Sequence, residues 1–211
     1  LQPSRVIGCT VASPTLAFSA TKFFNDHDIP WEWVRSESVH EAEGFTLTNA
    51  YERTGQLGPD RWYAAIGALS LFRGTPLLVV HAGTATTVDS LFQTGDGEYR
   101  FMGGRIAPGP ALMHKALLSA VPTLDSGLTE HKDFPLCSSD AITTGIIDAQ
   151  VGLITQAYES MYEAGQRPKI ILAGGSSRFL APRLRTLHPT LIVRHNLVLG
   201  GLAQKARESK R

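Results

Sequence analysis

Residues 76–106, PLLVVHAGTATTVDSLFQTGDGEYRFMGGRI, decide the fold. Apolar, β-rich runs at 76–81, 86–92 and 98–106 predict three consecutive strands, and Thr94-Gly95-Asp96-Gly97 between the last two is a hairpin signal. Between the first two strands lies Gly83-Thr84-Ala85-Thr86-Thr87, small and rich in hydroxyls. Such a turn lets a ligand approach main-chain N–H groups, a common way to hold phosphate, although the same composition also makes an ordinary turn. No Lys or Arg accompanies it, and the residue at its mouth is His81.

Working outward, elements alternate on both sides. On the N-terminal side, Arg5–Val11 reads as a strand, Pro14 opens a helix to about Asp26, Trp31–Val34 is a short strand, and residues 35–48 read as a polar, acidic loop. A helix is predicted from Asp60 to about Phe72. On the C-terminal side a helix follows Pro110, and a loop of mixed polarity spans 121–137. The longest helix is predicted from Ser139 to Ala164, because Ile142, Ile146, Leu153, Ala157 and Met161 recur on one face and Gly165 stands where a stop belongs. Lys169–Ala173 is a strand, followed by Gly174-Gly175, a helix, a strand at 190–193 and a last helix from about Leu197. Strands alternating with helices argue for α/β layering, while three consecutive strands ahead of α-β-α-β-α are unlike a plain dinucleotide-binding fold.

Bulk properties narrow the function classes. A chain of 211 residues with 43% hydrophobic and 18% charged content is ordinary for a soluble globular protein. With 20 basic and 19 acidic residues it has no strong field for nucleic acid or anionic membrane. Lys205, Arg207, Lys210 and Arg211 read as a solvated helix end, where the helix dipole favours cations. Cys9 and Cys137 make neither a disulfide framework nor a zinc site, which suggests a reducing compartment. No apolar run reaches the ~20 residues a membrane span needs. The first residue is Leu1 rather than methionine, a hint that an N-terminal portion is missing.

Four local constellations could carry chemistry. In Leu57-Gly58-Pro59-Asp60-Arg61-Trp62, Asp60 reads either as the cap of the helix it begins or as a proton acceptor beside an anion clamp. The second is the Gly83–Thr87 turn. In Gly103-Gly104-Arg105-Ile106-Ala107-Pro108-Gly109 the glycines permit bends at a strand end. Ala173-Gly174-Gly175-Ser176, between a buried strand and a helix, is either a plain connection or a place for a nucleotide against backbone.

Order and spacing are more specific than any one of these. Asn49-x-Tyr51, LGPDRW, GTATT, GGRIAPG and AGGS in succession resemble the type III pantothenate kinases, the Bvg accessory factor family, from about residue 5 to the closing HNLVLGGL at 195–202. The resemblance implies an actin-like (ribonuclease H-like), two-subdomain α/β kinase fold, with residues 1–75 the remainder of the first subdomain and 76–211 the second. It implies a cytoplasmic homodimer that transfers the ATP γ-phosphoryl group to pantothenate, the first step of coenzyme A synthesis, without nucleic acid or membrane partners. Asp60 matches the general base. Tyr51, Gly58, Pro59 and Arg61 match the segments gripping pantothenate, with Arg61 suited to its carboxylate. Gly83 and Thr84 match an ATP phosphate motif, and Gly174 and Gly175 match the adenosine side. Mg2+ or another divalent cation accompanies ATP, and a monovalent cation, K+ or NH4+, is typical of the family.

Three departures qualify the match. His81 occupies the position of the family's cation-binding aspartate, and imidazole supplies no anionic oxygen. Ser138 stands where the family has a pantothenate-binding threonine; it keeps the hydroxyl and equally reads as a helix N-cap. The family's opening Asp-x-Gly-Asn-[Thr/Ser] motif, which binds phosphate and magnesium, is not among these 211 residues. The first subdomain is therefore expected to lack its N-terminal strands. The alternative function is a catalytically impaired paralogue acting as a ligand-binding or regulatory protein.

Overall fold

The computed structural model describes residues 3–11, 13–124 and 127–208. They divide into two compact units, neither contiguous in sequence. Unit 1 runs to Arg73 and adds Thr94–Phe101 and the residues from Leu197 onward; unit 2 is Gly74–Gln93 with Met102–Asn196.

In unit 1, strand β1 (Val6–Gly8) pairs in parallel with β2 (Trp31–Trp33), joined through helix α1 (Pro14–Asp26). Pro14 supplies the first helical residue, and the Ser13 hydroxyl accepts the Leu16 N–H, as a serine cap should. The stretch 35–48, expected as loop, instead contains a hairpin of β3 (Val39–Ala42) and β4 (Phe45–Asn49). Glu43-Gly44 makes its turn, with Gly44 at φ +85°, and Phe45 and Leu47 bury one face of β4. The opposite face is polar, so the segment's composition hid its period-two pattern.

Helix α2 (Pro59–Leu71) is buried along most of its length, from Arg61 to Leu69. It packs against the closing helix α6 (Leu197–Glu208) through glycine. A Cβ on Gly67 would lie 2.0 Å from the Leu197 carbonyl oxygen, and one on Gly201 would lie 1.9 Å from that of Tyr63. Two helix backbones meet with nothing between them.

Strand β5 (Leu77–Ala82) is the centre of unit 2, antiparallel to β6 (Ala85–Gly95) and parallel to β8 (Lys169–Ala173). Strand β7 (Glu98–Pro108) lies beyond β6, and β9 (Ile192–Val193) lies beyond β8. The predicted hairpin joins β6 and β7, and both strands have residues in each unit. The first part of β7, Glu98–Phe101, pairs in parallel with β4 of unit 1.

Helices α3 (Pro110–Ala120), α4 (Ser138–Glu163) and α5 (Ser177–Leu187) complete unit 2. Ile142, Ile146, Ala157 and Met161 of the expected α4 face are buried, and Leu153 is partly so. Ile147, Val151 and Ile154 join Leu78, Val80, Ile170, Leu172, Leu180 and Leu184 in the core. Each such aliphatic side chain contributes about 1.5–3 kcal/mol on burial. Among the described residues no helix is long and apolar enough to cross a membrane.

Candidate active site

In unit 1, the start of α2 brings together five of the expected residues. Gly58 takes the N-cap, with its carbonyl accepting the Arg61 and Trp62 N–H groups at 3.1 Å, and Pro59 is the first helical residue. Asp60 is therefore not the cap. It sits in the first turn, where the helix dipole favours a carboxylate, and folds back over Gly58; a Cβ there would lie 2.6 Å from Asp60 Oδ1. Cys9, just beyond β1, lies within the field of this group. Burial first, and the Asp60 charge second, push its thiol up to about 11, so it stays protonated at neutral pH.

Arg61 is only 7% exposed, and a charge so buried must be matched by its surroundings. Its Nη1 donates to Tyr51 Oη at 2.9 Å, while the guanidinium carbon stands 5.8 Å from the Tyr51 ring centre and 5.7 Å from that of Phe101. Both distances are within cation–π reach of about 6 Å. Asn49 explains why an asparagine stands two residues before the tyrosine. Its Nδ2 donates to the Glu37 carbonyl at 3.2 Å and its Oδ1 accepts the Tyr51 N–H at 3.0 Å, setting the backbone that aims Tyr51. Trp62, the next residue of the motif, is fully buried against Phe101, and its Nε1 has no hydrogen-bond partner among the described residues.

In unit 2, two glycine-bearing segments far apart in sequence, at Gly109 and Gly174, converge on the β5–β6 turn. The Gly109 N–H donates to the Thr84 carbonyl at 2.8 Å, and a Cβ on Gly109 would lie 2.0 Å from the Gly83 carbonyl oxygen. Gly174, at φ +95°, lies so close to Ala82 that a Cβ would come within 2.2 Å of its carbonyl oxygen. The Ser176 N–H donates to that same carbonyl at 3.0 Å. Any side chain at Gly109 or Gly174 would force the segments apart. Thr84 is exposed, and nothing lies within 4 Å of a Cβ placed on Gly175, which leaves both approachable. The Gly83 N–H is already donated to the Ala85 carbonyl at 3.0 Å, so that donor is committed within the turn.

These features sit on a chain with clear relatives. A family model for type III pantothenate kinase matches residues 1–160. Enzymes of that name from Polaromonas sp. strain JS666 and Paracidovorax citrulli are each 35% identical, over 209 and 211 residues. Those alignments cover 97% and 98% of this chain, and 78% and 79% of the relatives. The chain belongs to the type III pantothenate kinase family. A crystal structure of a Baf family transcriptional activator from Campylobacter jejuni superposes with a TM-score of 0.61 at 19% identity, covering 100% of this chain and 85% of that one. The architecture is the α/β fold of that structure.

For a type III pantothenate kinase, the remaining expected residues fall as follows. His81, half-buried near the end of β5, pairs in register with Thr87 and Ala173, and its ring lies 3.3 Å from where a Gly83 Cβ would be. Ser138 is exposed in unit 2 as the first residue of α4, and Cys137 takes the N-cap position in its place. Two residues on, Asp140 accepts from Lys132 Nζ at 2.6 Å; this bond, then those from Thr129 and Cys137, hold its carboxyl down at about 2. Lys205 is not a solvated end: it is 24% exposed and ion-paired with Glu37. Lys210 and Arg211 lie outside the described residues.

Sequence reading passed over two contributors. Phe101 reaches Arg61 because β7 lies parallel to β4, with Asn49 opposite Phe101, a pairing between distant segments with no local signal. Cys9 is near Asp60 only through the fold. Gly109, read as a bend, is instead a point of backbone contact, for which the tandem small residues were the only clue.

Proposed function

We propose that this chain transfers the γ-phosphoryl group of ATP to the primary hydroxyl of pantothenate, giving 4′-phosphopantothenate for coenzyme A synthesis. The observation that carries the reading is Asp60-Arg61 at the start of α2, with Arg61 beside the rings of Tyr51 and Phe101 and bonded to the tyrosine hydroxyl. Asp60 takes the proton as the hydroxyl oxygen bonds to phosphorus; the bond to the bridging oxygen breaks, and its electron pair leaves with ADP. Arg61 pairs with the pantothenate carboxylate, as a planar guanidinium does well. Tyr51, Gly58 and Pro59 shape that grip, and Ser138 offers a hydroxyl to the same substrate. Thr84 and the Gly83 turn hold phosphate, and Gly174-Gly175 receives the nucleoside. The two units are read as the two kinase subdomains, with the first crossing between them near residue 75.

A divalent cation such as Mg2+ supplies charge neutralisation on the phosphates when bound. Among the described residues no group of three or more His, Cys, Asp or Glu could hold a metal ion. Mg2+ would be held mainly through the ATP phosphate oxygens, as it commonly is. A monovalent cation does not fit His81, which has no anionic oxygen to offer. The kinase rate is therefore expected to stay flat when K+ replaces a bulky organic cation at constant ionic strength; a steep rise with K+ would refute this.

The working molecule is read as a cytoplasmic homodimer. Phe134 and Leu136 support the dimer, standing 87% and 97% exposed in the segment before α4, as apolar side chains at an interface do in an isolated chain. The functional reading is tested by following label from γ-labelled ATP into pantothenate and into pantothenol, which has the same hydroxyl and no carboxylate. Pantothenate should accept the label and pantothenol should need a far higher concentration; equal use of both would remove the role given to Arg61.

A further inference from the structure

We infer that Ser36 and Glu37 are positioning residues, a splint that holds the Asn49-x-Tyr51 and Gly58-Pro59-Asp60-Arg61 segments in fixed register. The inference rests on the proposed roles of those two segments. The splint is the connection between β2 and β3, which carries none of the family's motifs.

Its bonds reach every part of the pantothenate half-site. Ser36 Oγ donates to the Leu57 carbonyl at 2.7 Å, immediately before Gly58. The Glu37 carbonyl accepts from Asn49 Nδ2 at 3.2 Å, and the Ser38 carbonyl accepts the Asn49 N–H at 2.8 Å. Asn49 in turn fixes the Tyr51 N–H, and Tyr51 holds Arg61. Two consecutive residues thus tie the tyrosine turn and the entry to α2 to one strip of backbone.

The strip itself is anchored by the Glu37 side chain. Lys205 of α6 donates to its Oε1, and His40 Nδ1 lies 3.5 Å from its Oε2. The two together draw the Glu37 carboxyl below its ordinary value, the His40 bond contributing most and burial opposing it. Because α6 also meets α2 at Gly67 and Gly201, the splint and the helix carrying Asp60 and Arg61 are referred to the same support. A loop serving only to connect strands would need neither the Ser36 bond nor the anchored carboxylate.

The test uses Ser36→Ala, Glu37→Gln and, as the conservative control, Ser36→Thr in the full chain. Melting temperatures establish that each variant folds. Ser36→Ala and Glu37→Gln should raise KM for pantothenate about fivefold, while kcat and KM for ATP change less than about twofold, the signature of misplaced binding groups. Ser36→Thr, which keeps the hydroxyl, should behave as the wild type. In the free protein, amide exchange at Asn49 and Tyr51 should quicken about tenfold in both loss variants while amides inside α4 are unchanged. An unaltered pantothenate KM in an active enzyme, an equal loss toward ATP, or exchange that quickens uniformly would overturn the inference. Wild-type protein that does not phosphorylate pantothenate would defeat the functional reading instead, and the exchange measurement would still decide whether the splint exists.

Discussion

At Asp60 and Cys9, two ionisable side chains share one field, and the thiol can report on the carboxylate. The carboxylate of Asp60 helps hold the Cys9 thiol at about 11, so Cys9 should react slowly with a thiol reagent at pH 8. Asp60→Asn removes the second of the two causes, and alkylation of Cys9 should then quicken, read in a Cys137→Ser background because Cys137 is exposed. An unchanged rate would mean that Asp60 does not carry its charge beside Cys9. Which residues the sequence disclosed at this scale follows from locality. Gly58 to Arg61 form one short run whose residue types announce a helix start and a charged pair. Phe101 of β7 and Cys9, just beyond β1, come from elsewhere in the chain, and only the fold brings them to the same place.

Among the elements, the crossing of α2 and α6 is the most demanding. Gly67→Ala gains about 1 kcal/mol of helix propensity. It also drives a methyl to 2.0 Å from a backbone carbonyl that cannot rotate away, and overpacking of that kind costs about 1–3 kcal/mol. The clash should win, with a net loss of up to about 2 kcal/mol in denaturant unfolding. Gly152→Ala in α4, where a Cβ meets nothing within 4 Å, should stabilise by up to about 1 kcal/mol. Two glycine-to-alanine changes of the same sign would contradict the packing described here. Elements with strong local signals were legible: α1 begins at Pro14, as its proline suggests, and ends at Asp26, and α4 follows its apolar face. The β3–β4 hairpin was not, because Glu41 on its exposed face and Arg35, Glu37 and Glu43 in the flanking connections made residues 35–48 read as loop. The expected strand Arg5–Val11 narrows to Val6–Gly8, since the strand it pairs with among the described residues, β2, is three residues long.

For the molecule as a whole, function rests on motifs that mean little singly. GTATT, GGRIAPG and AGGS each pass for a turn, yet Gly109 and Gly174 press their backbones onto residues 82–84 within unit 2. Their order along the chain was legible as a family pattern; the reason for the glycines, carbonyl oxygens about 2 Å from any added Cβ, became visible only in the fold. The proposed dimer belongs to this scale too. Leu136→Asp should shift the protein toward monomer in sedimentation velocity, and a wild type that sediments as a monomer at micromolar concentration would contradict the dimer.

The central claim is that Asp60 is the base of a pantothenate kinase, and its most direct test is ATP-dependent formation of 4′-phosphopantothenate by the wild type and Asp60→Asn. The wild type should form product, and kcat should fall by about 10²–10⁴ in the variant, with pantothenate still bound. Product formed equally by both proteins would contradict the assignment of the base, and product from neither would contradict the kinase.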